Sequence, residues 1–108
     1  MWEGEMMMEG MRYEFIGKPY LYSSTNDAGG WTIVPLPKAL SKEIRDNFKL
    51  LEEGWGRMRI TAKIGNSEWQ TSIWYDTKQG TYFLPLKAVI RKKEKIICGQ
   101  EVNIVILI

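Results

Sequence analysis

RMRITAKIGNSEWQTSIWY, residues 57–75, decides the fold. Met58, Ile60, Ala62 and Ile64 alternate with Arg57, Arg59, Thr61 and Lys63, the two-residue period of a strand with one face buried. Gly65-Asn66 is a two-residue hairpin turn of the type that puts glycine first, because its first position needs a positive φ. Ser67 to Tyr75 then returns as the partner strand, and the loop length fixes the register. Ile64 meets Ser67, Ala62 meets Trp69, Ile60 meets Thr71 and Met58 meets Ile73. On the opposite face Lys63 meets Glu68, Arg59 meets Ser72 and Arg57 meets Trp74. Small Ala62 leaves room for Trp69, and the Lys63–Glu68 pair is favourable by about 0.2–1 kcal/mol.

Strand chemistry extends both ways from this hairpin. Upstream, Tyr13 and Phe15 share one face with Arg12 and Glu14 on the other; Pro19 interrupts, and Tyr20 and Tyr22 resume. SSTNDAGG, residues 23–30, is a turn-rich loop, and Trp31 to Leu36 is a further strand stopped by Pro35 and Pro37. Leu40, Ile44 and Phe48 recur at four-residue spacing, the single apolar stripe of a short helix. Ser41 is its expected N-cap, with Glu43 behind it near the positive end of the helix dipole. EEGWG, residues 52–56, ends the helix. Downstream, DTKQG turns the chain into Thr81–Leu86, and a helix follows from Leu86 to Lys95 with Leu86, Val89 and Ile90 inward. Gly99 marks a turn. The closing strand, Glu101 to Ile108, is largely apolar on both faces, so it belongs in the middle of a sheet or under cover. Residues 1–10 show no period and read as a flexible arm; a sticky patch at Met6–Met8 is the weaker alternative.

The chain resembles itself at a spacing of 50 residues. IVPLPKAL from Ile33 and FLPLKAVI from Phe83 share strand, proline, leucine, lysine and alanine before a helix. GRMRITAKI follows the first helix and GQEVNIVILI the second, and each unit is preceded by a further strand and a glycine-bearing loop. This gives two ββαβ halves, 11–64 and 67–108. Neither covers its apolar strands alone, so the two interlock into one core. The expected fold is mainly β: a double-split β-barrel of two ββαβ halves with two short helices and an approximate two-fold, a single domain over 11–108.

The sequence W-x-x-V-x-L-P at Trp31–Pro37, SKEIR, GRMRITAKIGNSEWQTSI and GTYFLPLKAVIRKKEKIICGQEVNIVILI resembles the small bacterial domain-of-unknown-function family 1905. The resemblance covers nearly everything after Met11. It implies the double-split β-barrel also seen in AbrB- and MazE-like swapped-hairpin proteins, where two chains supply the halves that one chain supplies here. Gln100 departs from the pattern, in which an acid commonly follows the glycine. The family brings no established reaction.

Composition removes several kinds of chemistry. The chain of 108 residues has no histidine, so triads and relays built on imidazole are excluded. A single cysteine excludes an intrachain disulfide and any Cys-cluster zinc site, and suits a reducing cytoplasm. A net charge of +2 does not announce a nucleic-acid or membrane partner. No catalytic or metal-ligating constellation and no cofactor motif stands out. Trp31 and Trp69 read as core residues, and Cys98 as a small apolar filler. Asp76 sits in a turn, and the lysine-rich helix and strand faces are balanced by Glu43, Asp46, Glu52 and Glu94. The candidate surface is Arg57, Arg59 and Trp74 on one strand face, with a cation–π contact in reach, together with Arg91 and Lys92. The leading expectation is a cytoplasmic, non-enzymatic binding or accessory module for an unknown ligand or protein. Nucleic-acid binding through the basic surfaces stands second, its acidic arm (Glu3, Glu5, Glu9) arguing against it. With both halves in one chain, a monomer or weak homodimer is expected.

Overall fold

The computed structural model describes residues 11–22 and 31–108, apart from the Trp55 side chain. Seven antiparallel strands form one curled, half-barrel sheet: β1 (Arg12–Gly17), β2 (Tyr20–Tyr22), β3 (Trp31–Pro35), β4 (Arg57–Ile64), β5 (Ser67–Asp76), β6 (Thr81–Leu86) and β7 (Val102–Leu107). Two short helices, α1 (Lys38–Phe48) and α2 (Ala88–Lys93), follow β3 and β6. The mainly β fold expected from the sequence is the one observed. Residues 1–10, read as an arm, and the loop 23–30 lie outside the described residues.

The strand order is β1-β7-β4-β5-β6-β3-β2. Every rung expected for the β4–β5 hairpin is present, from Ile64↔Ser67 to Arg57↔Trp74. Gly65 takes φ +56°, as a turn with glycine first requires. β7 pairs with β1 on one side and β4 on the other, the central placement its two apolar faces call for. β3 and β6 pair antiparallel, with Val34 opposite Leu84.

Lys18 and Pro19 carry the chain from β1 at one end of the sheet order to β2 at the other, a path open only because the sheet curls. Gly17 permits the curl: a Cβ there would stand 2.4 Å from Val34 Cγ1 of β3. Buried Pro19 then accepts a 2.8 Å hydrogen bond from the Gly99 N–H through its carbonyl. The concave face holds the core, in which Tyr13, Phe15, Val34, Met58, Ile60, Ala62, Ile73, Leu84, Ile104 and Ile106 interdigitate, with Ile44 of α1 packed against them. Trp69 packs half-buried on this core.

The helices depart from the sequence reading. Ser41 is not an N-cap: α1 begins at Lys38 behind Pro37, and Ser41, wholly buried one turn in, faces the sheet. The rigid φ of Pro37 starts the helix instead, as proline does at a helix entrance. α2 is only six residues, because β6 runs on to Leu86 and Lys95 takes φ +55°. The Ile96 N–H bonds back to Arg91 O and the Lys95 N–H to Lys92 O, the paired bonds of a Schellman stop. In so short a helix Ile90 reaches the core while Val89, one position back, is 64 % exposed rather than inward. Cys98 is exposed and fills nothing; half-buried Ile96 packs on the core in that stretch.

Candidate functional site

The convex face of the sheet carries the surface of interest. Along β3, Thr32 and Val34 turn inward, so Trp31, Ile33 and Pro35 share the other face, with Trp31 and Pro35 exposed and Ile33 buried between them. Trp31 is therefore not a core residue; it is 51 % exposed. Pairing adds its neighbours: Tyr22 lies opposite Trp31, Tyr20 opposite Ile33, Phe83 opposite Pro35 and Pro85 opposite Ile33 on the other side. Tyr20 and Tyr22 are 45 % and 55 % exposed. All of these side chains but Pro85, together with Asp76, Gln79 and Thr81, line a cleft of about 650 Å³.

Asp76 is the one formally charged residue in that lining among the described residues. Its Oδ1 accepts from the backbone N–H groups of Lys78 (2.9 Å) and Gln79 (3.3 Å), which fixes the carboxylate at the β5–β6 turn. Oδ2 takes no hydrogen bond from the described residues.

β5 and β6 pair only from Trp74↔Phe83 to Asp76↔Thr81. Beyond that rung they separate, and a second cleft of about 240 Å³ opens in the gap, lined by inward-facing Thr32, Thr71 and Leu86 as well as by Trp31, Pro85, Lys87 and Arg91. Trp31 is common to both clefts.

The inner side of β6 is closed. Tyr82 is fully buried; its N–H donates to Ser41 Oγ (3.0 Å) and its carbonyl accepts from the Leu36 N–H (2.9 Å). Its phenol donates to Glu52 Oε2. Burial, and then the bond to Glu52 and that residue's charge, hold the phenol well above its ordinary pKa, so it stays protonated. Arg45 lies 3.7 Å over the Tyr75 ring and 3.9 Å from Glu52 Oε1, and Tyr75 meets Tyr82 edge to face at 5.0 Å. Glu52 is thus no surface counter-charge; its side chain is 9 % exposed. Glu94 likewise accepts from Ser67 Oγ (2.6 Å) against the Gly65 turn. These contacts hold α1 and the end of α2 on the sheet.

The residues singled out from the sequence fall in separate places. Arg57 and Trp74 do come together, the guanidinium carbon 5.9 Å from the ring centre, and Arg57 also pairs with Glu53 at 2.5 Å. Arg59 lines a shallow cleft of about 280 Å³ with Thr61, Gln70 and Ile108. Arg91 belongs to the cleft beyond Trp31, and Lys92 is exposed on α2. Sequence reasoning missed Tyr20, Tyr22, Asp76 and Phe83. The available signal was that Trp31–Leu36 is apolar on both faces although its neighbour, Tyr20–Tyr22, is too short to be a core strand.

A comparison with curated proteins found no match. The family described as Domain of unknown function (DUF1905) matches residues 20–106, which span both helices and six of the seven strands. The chain belongs to that family.

Proposed function

We propose that this chain is a non-enzymatic binding module whose seat is the aromatic cleft on the convex face of β2, β3 and β6. One observation carries the reading: Tyr20, Tyr22 and Trp31 stand about half exposed around a cleft of about 650 Å³. Aromatic side chains left in water beside one another lose the hydrophobic gain that would come from covering them. Soluble proteins keep such clusters chiefly where a ligand or partner covers them. The polar networks elsewhere support the same reading, since Tyr82, Glu52 and Arg45 are consumed in holding α1 to the sheet. The basic surface has less in its favour as a nucleic-acid reader: Arg57 is already engaged by Glu53 and Trp74, and kinship with AbrB-like DNA binders would rest on architecture alone. An unpaired, exposed Cys98 fits work in a reducing cytoplasm, and a β7 paired along both edges fits a monomer.

The test is a screen of small aromatic fragments followed on the tryptophan indole N–H resonances. The Trp31 signal is expected to shift on binding while that of Trp69, against the core, stays in place. Trp31→Ala is expected to abolish binding. A screen in which no fragment moves the Trp31 signal, or in which turnover appears and depends on one polar residue, overturns the reading.

A further inference from the structure

The two clefts meet at Trp31, and a track drawn across both has opposite charges at its ends. On the β6 side it runs from Thr81, beside Asp76, to Lys87. Six residues of extended strand make that run about 20 Å long. The middle is apolar and aromatic: Phe83 and Pro35, then Ile33 and Tyr20, then Trp31 and Tyr22. One end has the Asp76 carboxylate; the other has Lys87 and Arg91. Among the described residues neither Lys87 nor Arg91 takes part in an ion pair.

We propose that the occupant of this track is an extended peptide segment of six or seven residues, basic at the end over Asp76 and acidic at the end over Lys87 and Arg91. The inference rests on the binding-module reading and names its partner. Three features select a peptide. The length suits six residues of extended chain, or six to seven of polyproline II at about 3.1 Å each, whereas a compact metabolite would cover one end only. A floor of Trp, Tyr, Phe and Pro is the kind of surface on which extended proline-rich segments dock, their low chain entropy limiting the cost of ordering. Tyr20, Tyr22 and Trp31 each present a flat apolar body with a polar tip, able to serve both apolar side chains and peptide carbonyls. Charge then sets polarity: a neutral chain would leave Asp76 and the Lys87–Arg91 pair uncompensated at the rims, and a chain of one sign would meet repulsion at one of them.

The experiment uses the full chain and an array of heptapeptides randomised at the five central positions, with the ends fixed as Arg and Glu, Gln and Gln, Arg and Arg, or Glu and Glu. Binders are then measured by fluorescence anisotropy as labelled peptides. Binders are expected to concentrate in the Arg–Glu frames, in either chain direction. Each matched end should strengthen binding by about 1.4-fold to fivefold over glutamine, as exposed ion pairs do. D76N should remove only the advantage of the basic end and R91Q only that of the acidic end, while Trp31→Ala removes binding of every frame. Binders spread evenly over the four frames overturn the charge polarity. No peptide bound in any frame, with fragments still shifting the Trp31 signal, overturns the peptide and leaves the cleft reading standing. If the fragments fail as well, both fall. Self-association of the chain that Trp31→Ala abolishes would assign the track to a second copy of this protein and overturn the proposal.

Discussion

Tyr82 and Phe83 are consecutive residues of β6, and their environments are opposite. Tyr82 points to the concave side, where α1 closes over it; Ser41, Leu36 and Glu52 take up its N–H, its carbonyl and its hydroxyl. Phe83 points to the convex side into a row of Pro35, Phe83, Trp74 and Arg57 that runs across four strands. Polar chemistry is concentrated on the closed face and aromatic surface on the open one. The difference separates two roles that sequence composition mixes together: here the buried titratable groups maintain the fold, and under the proposed function the exposed apolar groups are the ones left for a partner.

The largest expected effect lies on the closed face. Tyr82→Phe withdraws a donor from a nearly buried carboxylate, which costs about 1.5–3 kcal/mol, and it should leave fragment binding at Trp31 unchanged. Its pH dependence has a defined sign. Because the folded phenol is held above its ordinary value of ~10, its contribution is fully present below that pH. Above it, the unfolded chain ionises its tyrosine while the folded one stays protonated. Folding of the wild-type protein should therefore weaken by up to about 1.4 kcal/mol per pH unit from this group. Chemical denaturation of both proteins from pH 8 to 11 should show their gap constant at first and then closing. A gap that widens above pH 10 would mean that the Tyr82 phenol ionises more readily folded than unfolded.

Ser41→Ala comes next. It orphans the Tyr82 N–H, a loss of about 1–2 kcal/mol, partly offset by about 0.5 kcal/mol from the better helix propensity of alanine. A net loss near 1 kcal/mol in urea unfolding is expected. A neutral result would show that the Tyr82 N–H finds another acceptor and that the clamp is weaker than its geometry. On the open face, Trp31→Ala should change stability by less than about 1 kcal/mol while removing ligand binding. A large stability loss from Trp31→Ala would erase the distinction between the two faces.

How much of this was legible follows from what each feature depends on. The 57–75 hairpin could be read rung by rung, because alternation and a two-residue turn are local and leave one register. The central place of β7 was legible because apolar residues on both faces admit few alternatives. Trp31 was misassigned because hydrophobicity says that a side chain will be covered, not by what: Thr32 went inward with Val34, and Trp31 with Ile33 and Pro35. Ser41 was misread as a cap because Ser-x-Glu before an apolar stripe is the same pattern whether the helix starts there or one turn earlier at a proline. The clamp on Tyr82 joins positions 30 and 41 residues apart, and no local pattern encodes such a contact. Asp76 was seen in its turn but not as a cleft residue, since only the pairing of β5 with β6, and of β6 with β3, brings Phe83 and Pro35 near it.

The smallest effect tests where the open surface ends. The aromatic row continues from Phe83 to Trp74, yet Trp74 already faces Arg57 at 5.9 Å, and Arg57 is held by Glu53. If these contacts close the surface, a double-mutant cycle of Arg57→Ala with Trp74→Ala should give a coupling of about 0.5 kcal/mol, as for an exposed cation–π pair. A cycle of Arg57→Ala with Glu53→Ala should give about 0.5 kcal/mol or less and fade as salt is raised, because both side chains are in water. Neither variant should alter binding in the cleft. A drop in cleft affinity with Arg57→Ala, at unchanged stability, would instead extend the binding track across β5 to β4. It would also give the Arg57–Trp74 pair, chosen from the sequence for its register, a part in the same site.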